Sequence, residues 1–266
     1  VNNANIFTVS GAVDNDGQIN STAGTLSTGA IDNAATGDIN ISGGTHNGTT
    51  MTGNAGTYTL SNAANATFTG NLNNNTGTIE NTGTGTLQAT SANGNSGTIS
   101  NSGDGTVSLT TATGNTGDIE NTGAGNLTFS GAVTNGAAGT LTQSGTGTTS
   151  AASVTNNGAG ASVSVTAGLL DVAGAVTNTV GTVGVSAGAE LEALSLSNAS
   201  GQTVTSAGLL DIDTITNEGT LNAEGTGPAA GIDGDVINQG TGVMTATGDL
   251  DVTGSLSNLE DGSIVL

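Results

Sequence analysis

The sequence contains no lysine and no arginine in 266 residues, against 21 Asp and Glu side chains and a single histidine, His46. Without guanidinium or side-chain ammonium groups a chain cannot neutralise phosphates, so nucleic-acid binding is excluded. Adsorption to anionic membrane surfaces is excluded for the same reason. A formal charge of −21 keeps the chain soluble but opposes compaction, which calls for screening, bound cations or an acidic medium. Cysteine is absent, so disulfides play no part. There is one proline, Pro228, placed inside a repeat. Aromatics are confined to Phe7, Tyr58, Phe68 and Phe129. Leu, Ile, Val and Phe are too sparse for an ordinary globular core, and no apolar run reaches transmembrane length. The chain opens on Val1 and shows no signal peptide, which leads to the expectation of a mature secreted chain acting outside the cell or at its surface.

What remains is Gly, Asn, Thr and Ser, a composition common in disordered chains. Here, however, β-branched residues recur in phase. A glycine anchor followed by a β-favouring residue appears at Gly17, Gly37, Gly56, Gly77, Gly97, Gly117, Gly139, Gly160, Gly181, Gly201, Gly219, Gly240 and Gly262, with a mean step of 20.4 residues. A fixed period in this range marks a solenoid, in which each repeat buries its apolar face only by stacking on the next. The clearest copies are GTIENTGTGTLQATSANGNS (77–96), GTISNSGDGTVSLTTATGNT (97–116) and GDIENTGAGNLTFSGAVTNG (117–136). In them Ile79, Ile99 and Ile119 share one position, Leu87, Val107 and Leu127 a second, and Ala89, Leu109 and Phe129 a third. Short period-two runs broken by Gly and Asn read as strands joined by tight turns, and no window carries a helical stripe. The expected fold is all-β: a single-chain parallel β-helix over 1–266 of about 13 coils of about 20 residues. An N-terminal coil (1–16), twelve repeats (17–261) and a C-terminal strand (262–266) make up the chain, each coil holding two or three strands.

A second series is in phase with the first: Asn33, Asn54, Asn75, Asn95, Asn115, Asn135, Asn156, Asn178, Asn198, Asn217, Asn238 and Asn258. Asn tolerates the left-handed backbone of tight turns, and amides stacked coil on coil can form a hydrogen-bonded ladder along the axis. Twelve successive placements favour the ladder over turn-forming Asn scattered by composition.

The C-terminal third uses a variant wording: GLLDVAGAVTN (168–178), GLLDIDTITN (208–217) and GDLDVTGSLSN (248–258). It resembles the repeats of secreted β-helical adhesins, autotransporter passengers and filamentous-haemagglutinin-like proteins. That resemblance implies a right-handed parallel β-helix with an extracellular or cell-surface role in adhesion or matrix formation. It transfers no catalytic or binding residue.

No enzyme is expected. Polysaccharide-lyase chemistry on such folds relies on Lys or Arg, paired carboxylates for glycoside hydrolysis lack aromatic sugar platforms, and His46 has no Cys or His companion and reads as a solvent-exposed outlier. The carboxylates Asp171, Glu192, Asp211 and Asp251 follow their anchors by ten or eleven residues. They are expected to stack on one face, with one coil between Asp211 and Asp251. Like charges so placed repel. Oxygen-rich clusters suit calcium, which makes these four, with Asp14, Asp16, Asp213, Asp233, Asp235 and Asp249, candidate calcium ligands; the competing reading is a solvated acidic face. Thr-x-Thr pairs (Thr57/Thr59, Thr67/Thr69, Thr84/Thr86, Thr146/Thr148, Thr203/Thr205) are expected not to hold one coil position, which argues against an ice-binding face.

Both ends, VNNANIFTVSG and DGSIVL, are strand-like and carry no helix, Pro or Lys to blunt them. Joined head to tail, two copies keep the period, with 21 residues from Gly262 to the next Gly17. An open strand edge recruits further chains, and a contact between two different surfaces propagates as a filament. The expectation is a homopolymer in which Ile264, Val265 and Leu266 meet Ile6, Phe7 and Val9 of the next copy. The alternative is a monomeric adhesin passenger that binds a host or glycan ligand.

Overall fold

The computed structural model describes residues 1–225, 231–247 and 250–265. Pro228, Asp249 and Leu266 lie outside the described residues. The described residues contain strands and turns and no helix, and every strand pairing is parallel. The chain winds as a β-solenoid of about 13 turns of about 20 residues, roughly 60 Å long at the parallel-strand spacing of about 4.8 Å.

Among the described residues the coils present three faces, each marked by a strand segment, except that in the last coil the second face is marked by the single bridge of Val252 to Ile232. In the middle coils the first face holds Thr78–Asn81, Thr98–Asn101 and Asp118–Asn121. The second holds Thr86–Gln88 and Thr106–Leu109, and the third Ser91–Asn93 and Thr111–Asn115. Alternation decides which side chains point inward. Ile79, Ile99 and Ile119 stack in register and are fully buried. Leu87, Val107 and Leu127 form a second column, and Leu109 stacks on Phe129 in a third. Like residues pack on like down each column, so the thin core is continuous although each coil contributes only a few apolar side chains.

Turns fix where the strands break. Gly97 approaches the coil before it so closely that an added Cβ would collide with the carbonyl of Gly77, and Gly117 stands in the same relation to Gly97. Only glycine fits that column. From Asn126 onward the corner between second and third faces is made by β-bulges instead of turns, at Phe129/Ala132, Ala151/Val154 and Val172/Ala175. Strands of adjoining faces therefore merge into Asn126–Asn135, Thr148–Val165 and Leu169–Val185. This is the structural meaning of the LLDVAGAVTN wording: a bulge at its centre turns the chain while the apolar alternation continues on the next face.

Candidate functional site

Three features concentrate polar chemistry: the amide ladders, the acidic flank and the two terminal coils. Among the described residues no helix is long and apolar enough to cross a membrane.

The main ladder ends the third face and is buried from Asn15 to Asn238. Each Nδ2 donates to the Oδ1 one coil on: Asn75 to Asn95 at 2.8 Å, Asn95 to Asn115 at 2.8 Å, Asn115 to Asn135 at 2.9 Å and Asn135 to Asn156 at 3.0 Å. Beyond Asn178 the chain of bonds resumes through Asn198, Asn217, Asn238 and Asn258, at 2.9, 2.8, 2.8 and 2.7 Å. Most of these amides also donate to backbone carbonyls of the following turn and strand, as Asn115 does to Gly117 and Thr140. The ladder begins one coil earlier than the sequence series, because Asn15 donates to Asn33 at 2.7 Å. It is interrupted once. Between Asn156 and Asn178 the register shifts after the pair, and Asn178 Oδ1 is buried without a partner.

Sequence reading missed a second ladder at the end of the first face. Asn81 donates to Asn101 at 3.2 Å, Asn101 to Asn121 at 3.1 Å, and Asn121 to Gln143 Oε1 at 2.9 Å. The signal was present in the strings TIENTG, TISNSG and DIENTG, whose Asn recur every twenty residues with a buried alternation partner two positions earlier.

The acidic flank lies on the outer side of the second face. Asp171, Glu192, Asp211 and Asp233 are in direct register on four successive coils. The fourth carboxylate is thus Asp233 and not Asp251. Ile232 pairs with Val252, which places Asp251 beside Gly231, and the coil expected to intervene after Asp211 is the one that supplies Asp233. Asp213 is exposed beside this row. Burial, together with the neighbouring charges of Asp171, Asp211 and Glu190, pushes the Glu192 carboxyl above its ordinary value. Asp235 accepts from the Ser255 N–H at 2.8 Å and from its hydroxyl at 2.9 Å, which holds its carboxyl below the usual range. Asp14 is paired with Asp32 on the third face, while Asp16 is exposed in the turn that follows. Asp249 lies outside the described residues. Among the described residues no three His, Cys, Asp or Glu side chains gather closely enough to hold a metal ion.

His46 is not exposed. It points inward from Thr45–Gly48 and is fully buried, in contact with Tyr58 and Phe68 at ring-centroid distances of 5.8 and 5.2 Å. Its Nε2 lies 3.0 Å from Thr28 Oγ1 and its Nδ1 2.8 Å from Tyr58 Oη. Both hydroxyls can donate or accept, so either neutral tautomer is satisfied. Burial lowers its pKa to about 4 and raises that of Tyr58. The folded state therefore binds fewer protons than the unfolded one between pH about 6.5 and about 4, and stability held above that window is lost as pH falls through it. The full shift corresponds to about 3 kcal/mol. Glu192 works the other way: its contribution is present at low pH and is lost as pH rises above the ordinary carboxylate range. Acid is expected to loosen the coils around His46 while relieving the acidic flank. Hydrogen exchange of residues 38–68 should accelerate between pH 6.5 and 4 in the native chain, and the acceleration should vanish in His46→Leu.

The Thr pairs divide. Thr57/Thr59 and Thr203/Thr205 do share the outward positions of the first face, and Thr78, Thr98, Thr182 and Thr220 align with their first members. Asp118 interrupts the row between Thr98 and Thr140.

At the N-terminal end Asn2–Asn3, Ile6–Val9 and Val13–Asn15 form the open coil, with Ile6 79% and Phe7 38% exposed; Val9 is half-buried. At the other end Leu256–Asn258 and Ser263–Val265 are the last strands of the third and first faces, with Leu256 41% and Val265 51% exposed and Ile264 packed against the core. Ile264 and Val265 lie on the first face, whereas Ile6, Phe7 and Val9 lie on the second. The two sets therefore do not face one another along the axis as the sequence suggested.

The architecture defines a β-solenoid repeat protein of the β-helical kind. No family model, no curated protein and no solved structure matches the chain.

Proposed function

We propose that the chain is a structural subunit of an extracellular filament, built by head-to-tail stacking of solenoids and serving surface-fibre formation, matrix formation or adhesion. The observation that carries this reading is the polarity of the main ladder. Every amide donates toward the C-terminal end, so one end presents an acceptor and the other a donor: among the described residues Asn15 Oδ1 takes no hydrogen bond, and Asn258 Nδ2 has Gly262 O as its one partner. The two end surfaces are complementary to each other and not to themselves, which is the condition for a heterologous, open-ended contact. Apolar surface accompanies the amides, with Phe7 and Val13 at one end and Leu256 at the other. Approach of two chains each of charge −21 opposes association, so assembly should rise steeply with ionic strength.

Negative-stain imaging of the purified 266-residue chain at moderate salt tests the reading. Unbranched filaments one solenoid wide are expected. Rods of about 60 Å that stay single at every salt and protein concentration would instead support a monomeric adhesin passenger.

A further inference from the structure

The bulged corner between the second and third faces holds two adjoining hollows of about 220 and 270 Å³, which share Asp171 and Ala173 as walls. Together they form a groove parallel to the solenoid axis, from the coil of Thr128 to that of Asp213. That is four coil steps, or about 19 Å at the parallel-strand spacing. Strand register builds the floor. The inward positions from Phe129 to Ile212 pair coil on coil, so the residues that follow them, Ser130, Ala152, Ala173, Leu194 and Asp213, line up on the outside. The first three are small. Leu194 is 59% exposed, and among the described residues it is the one large apolar side chain so exposed away from the terminal coils.

The two rims differ in charge. On the second-face side Asp171, Glu192 and Asp211 stand in register, while on the third-face side Ser195 and Thr214 are paired and neutral. Among the described residues these three carboxylates and that of Asp213 accept no hydrogen bond from the chain, whereas Glu80, Asp118 and Asp235 are engaged by the hydroxyls of Ser102, Thr140 and Ser255. Burial and the neighbouring charges raise the Glu192 carboxyl above its ordinary range, so the row favours a positive neighbour. The chain has no Lys or Arg with which to supply one, which also excludes a second copy as the source.

We propose that this groove docks an extended basic segment of another protein, with apolar side chains on the floor at Ala173 and Leu194 and Lys or Arg side chains against Asp171, Glu192 and Asp211. The dimensions select an extended segment. A groove of about 19 Å takes about six residues at about 3.3 Å each, and hollows of this size admit side chains but not a helix about 10–12 Å across. Long basic stems lie along apolar surface and reach sideways to the carboxylates. Exposed ion pairs contribute little singly. The apolar floor therefore separates docking from the general attraction of cations to a chain of charge −21. The groove lies on the flank, so the proposal stands whether or not solenoids join end to end.

The probe is a fluorescein-labelled, amidated hexapeptide of alternating lysine and leucine, titrated with the full chain at moderate salt and followed by anisotropy. It is expected to bind about tenfold more tightly than the same peptide with glycine in place of leucine. Spermidine should compete about tenfold more weakly than the unlabelled lysine–leucine peptide. Leu194→Asn should weaken binding about fivefold, and Asp171→Asn/Asp211→Asn about tenfold. Asp104→Asn/Glu120→Gln removes the same charge away from the groove and should change binding by less than about twofold. Because the chain has no lysine, carbodiimide coupling marks the carboxylates that the peptide's amines touch. Adducts are expected on Asp171, Glu192, Asp211 and Asp213. Equal affinity for the glycine peptide or for spermidine, or equal losses from both charge pairs, would reduce the effect to counterion attraction and overturn the inference. Adducts scattered over the first and third faces would overturn it too.

Discussion

Asn115→Leu is expected to destabilise the solenoid by about 3–5 kcal/mol, measured as a local opening centred on residues 95–140. The leucine keeps the branched shape but is larger, so the loss combines broken hydrogen bonds with overpacking against ladder neighbours that stand 2.8 and 2.9 Å away. Asn115 accepts from Asn95 at 2.8 Å and donates to Gly117 O, Asn135 Oδ1 and Thr140 O at 3.0, 2.9 and 3.0 Å. Asn95 keeps two carbonyl acceptors, those of Gly97 and Asp118. Asn135 does not fare so well, because its buried Oδ1 loses the one donor it has among the described residues. A buried acceptor left without a donor costs about 1–3 kcal/mol, and the lost bonds to Thr140 and Asn95 add to it. The ladder's one interruption supplies an internal control. Asn178 Oδ1 is already buried without a partner, so Asn178→Leu removes one orphaned carbonyl while creating another at Asn198. Its cost should fall below that of Asn115→Leu by about the value of one unsatisfied carbonyl. Equal costs would mean that the ladder contributes packing and not hydrogen bonds. Because coils interact only with their neighbours, native-state hydrogen exchange resolves each effect to the coils concerned, where a single melting temperature would blur it.

The repeat was legible because two different constraints write it. Glycine marks places where one coil's backbone touches the next, as at Gly97 and Gly117, and inward apolar residues must stack on their own kind. Both act at the same phase in every coil, so the period, the strand class and the columns through Ile79, Leu87 and Leu109 could be read directly. The main Asn series survived for the same reason. Properties fixed by pairs of residues in different coils were harder to see. Asp233 takes the place expected for Asp251 because strand pairing and not distance from a glycine anchor sets the row: it pairs with Asp211 although it follows Gly219 by 14 residues. The burial of His46 follows from alternation, since it stands on an inward position in register with Leu26 and Ala66. A reading by residue type alone placed it in solvent.

Phe7→Asp is expected to raise the protein concentration needed for filament growth by about a thousandfold while leaving the isolated subunit folded. Phe7 points inward from the terminal coil, stacked on Leu26, and is 38% exposed because nothing covers its outer side. A carboxylate there remains in contact with water in the single subunit. Stacking a second solenoid on that coil would enclose it in an apolar column without a cationic partner, since the chain has no Lys or Arg. Enclosure of an unpaired carboxylate costs several kcal/mol or forces it to take up a proton; about 4 kcal/mol is a thousandfold in association constant. Acid should therefore partly rescue the variant, which neither lost folding nor a blocked surface would produce. Leu194→Asp is the matched control. Leu194 is 59% exposed on the flank of the solenoid, on the outer side of Glu190–Asn198 and away from both ends. The same change of side chain there should leave the growth concentration within a factor of a few. If Phe7→Asp grows filaments as readily as Leu194→Asp, the N-terminal coil is not a stacking surface and end-to-end assembly through it is wrong.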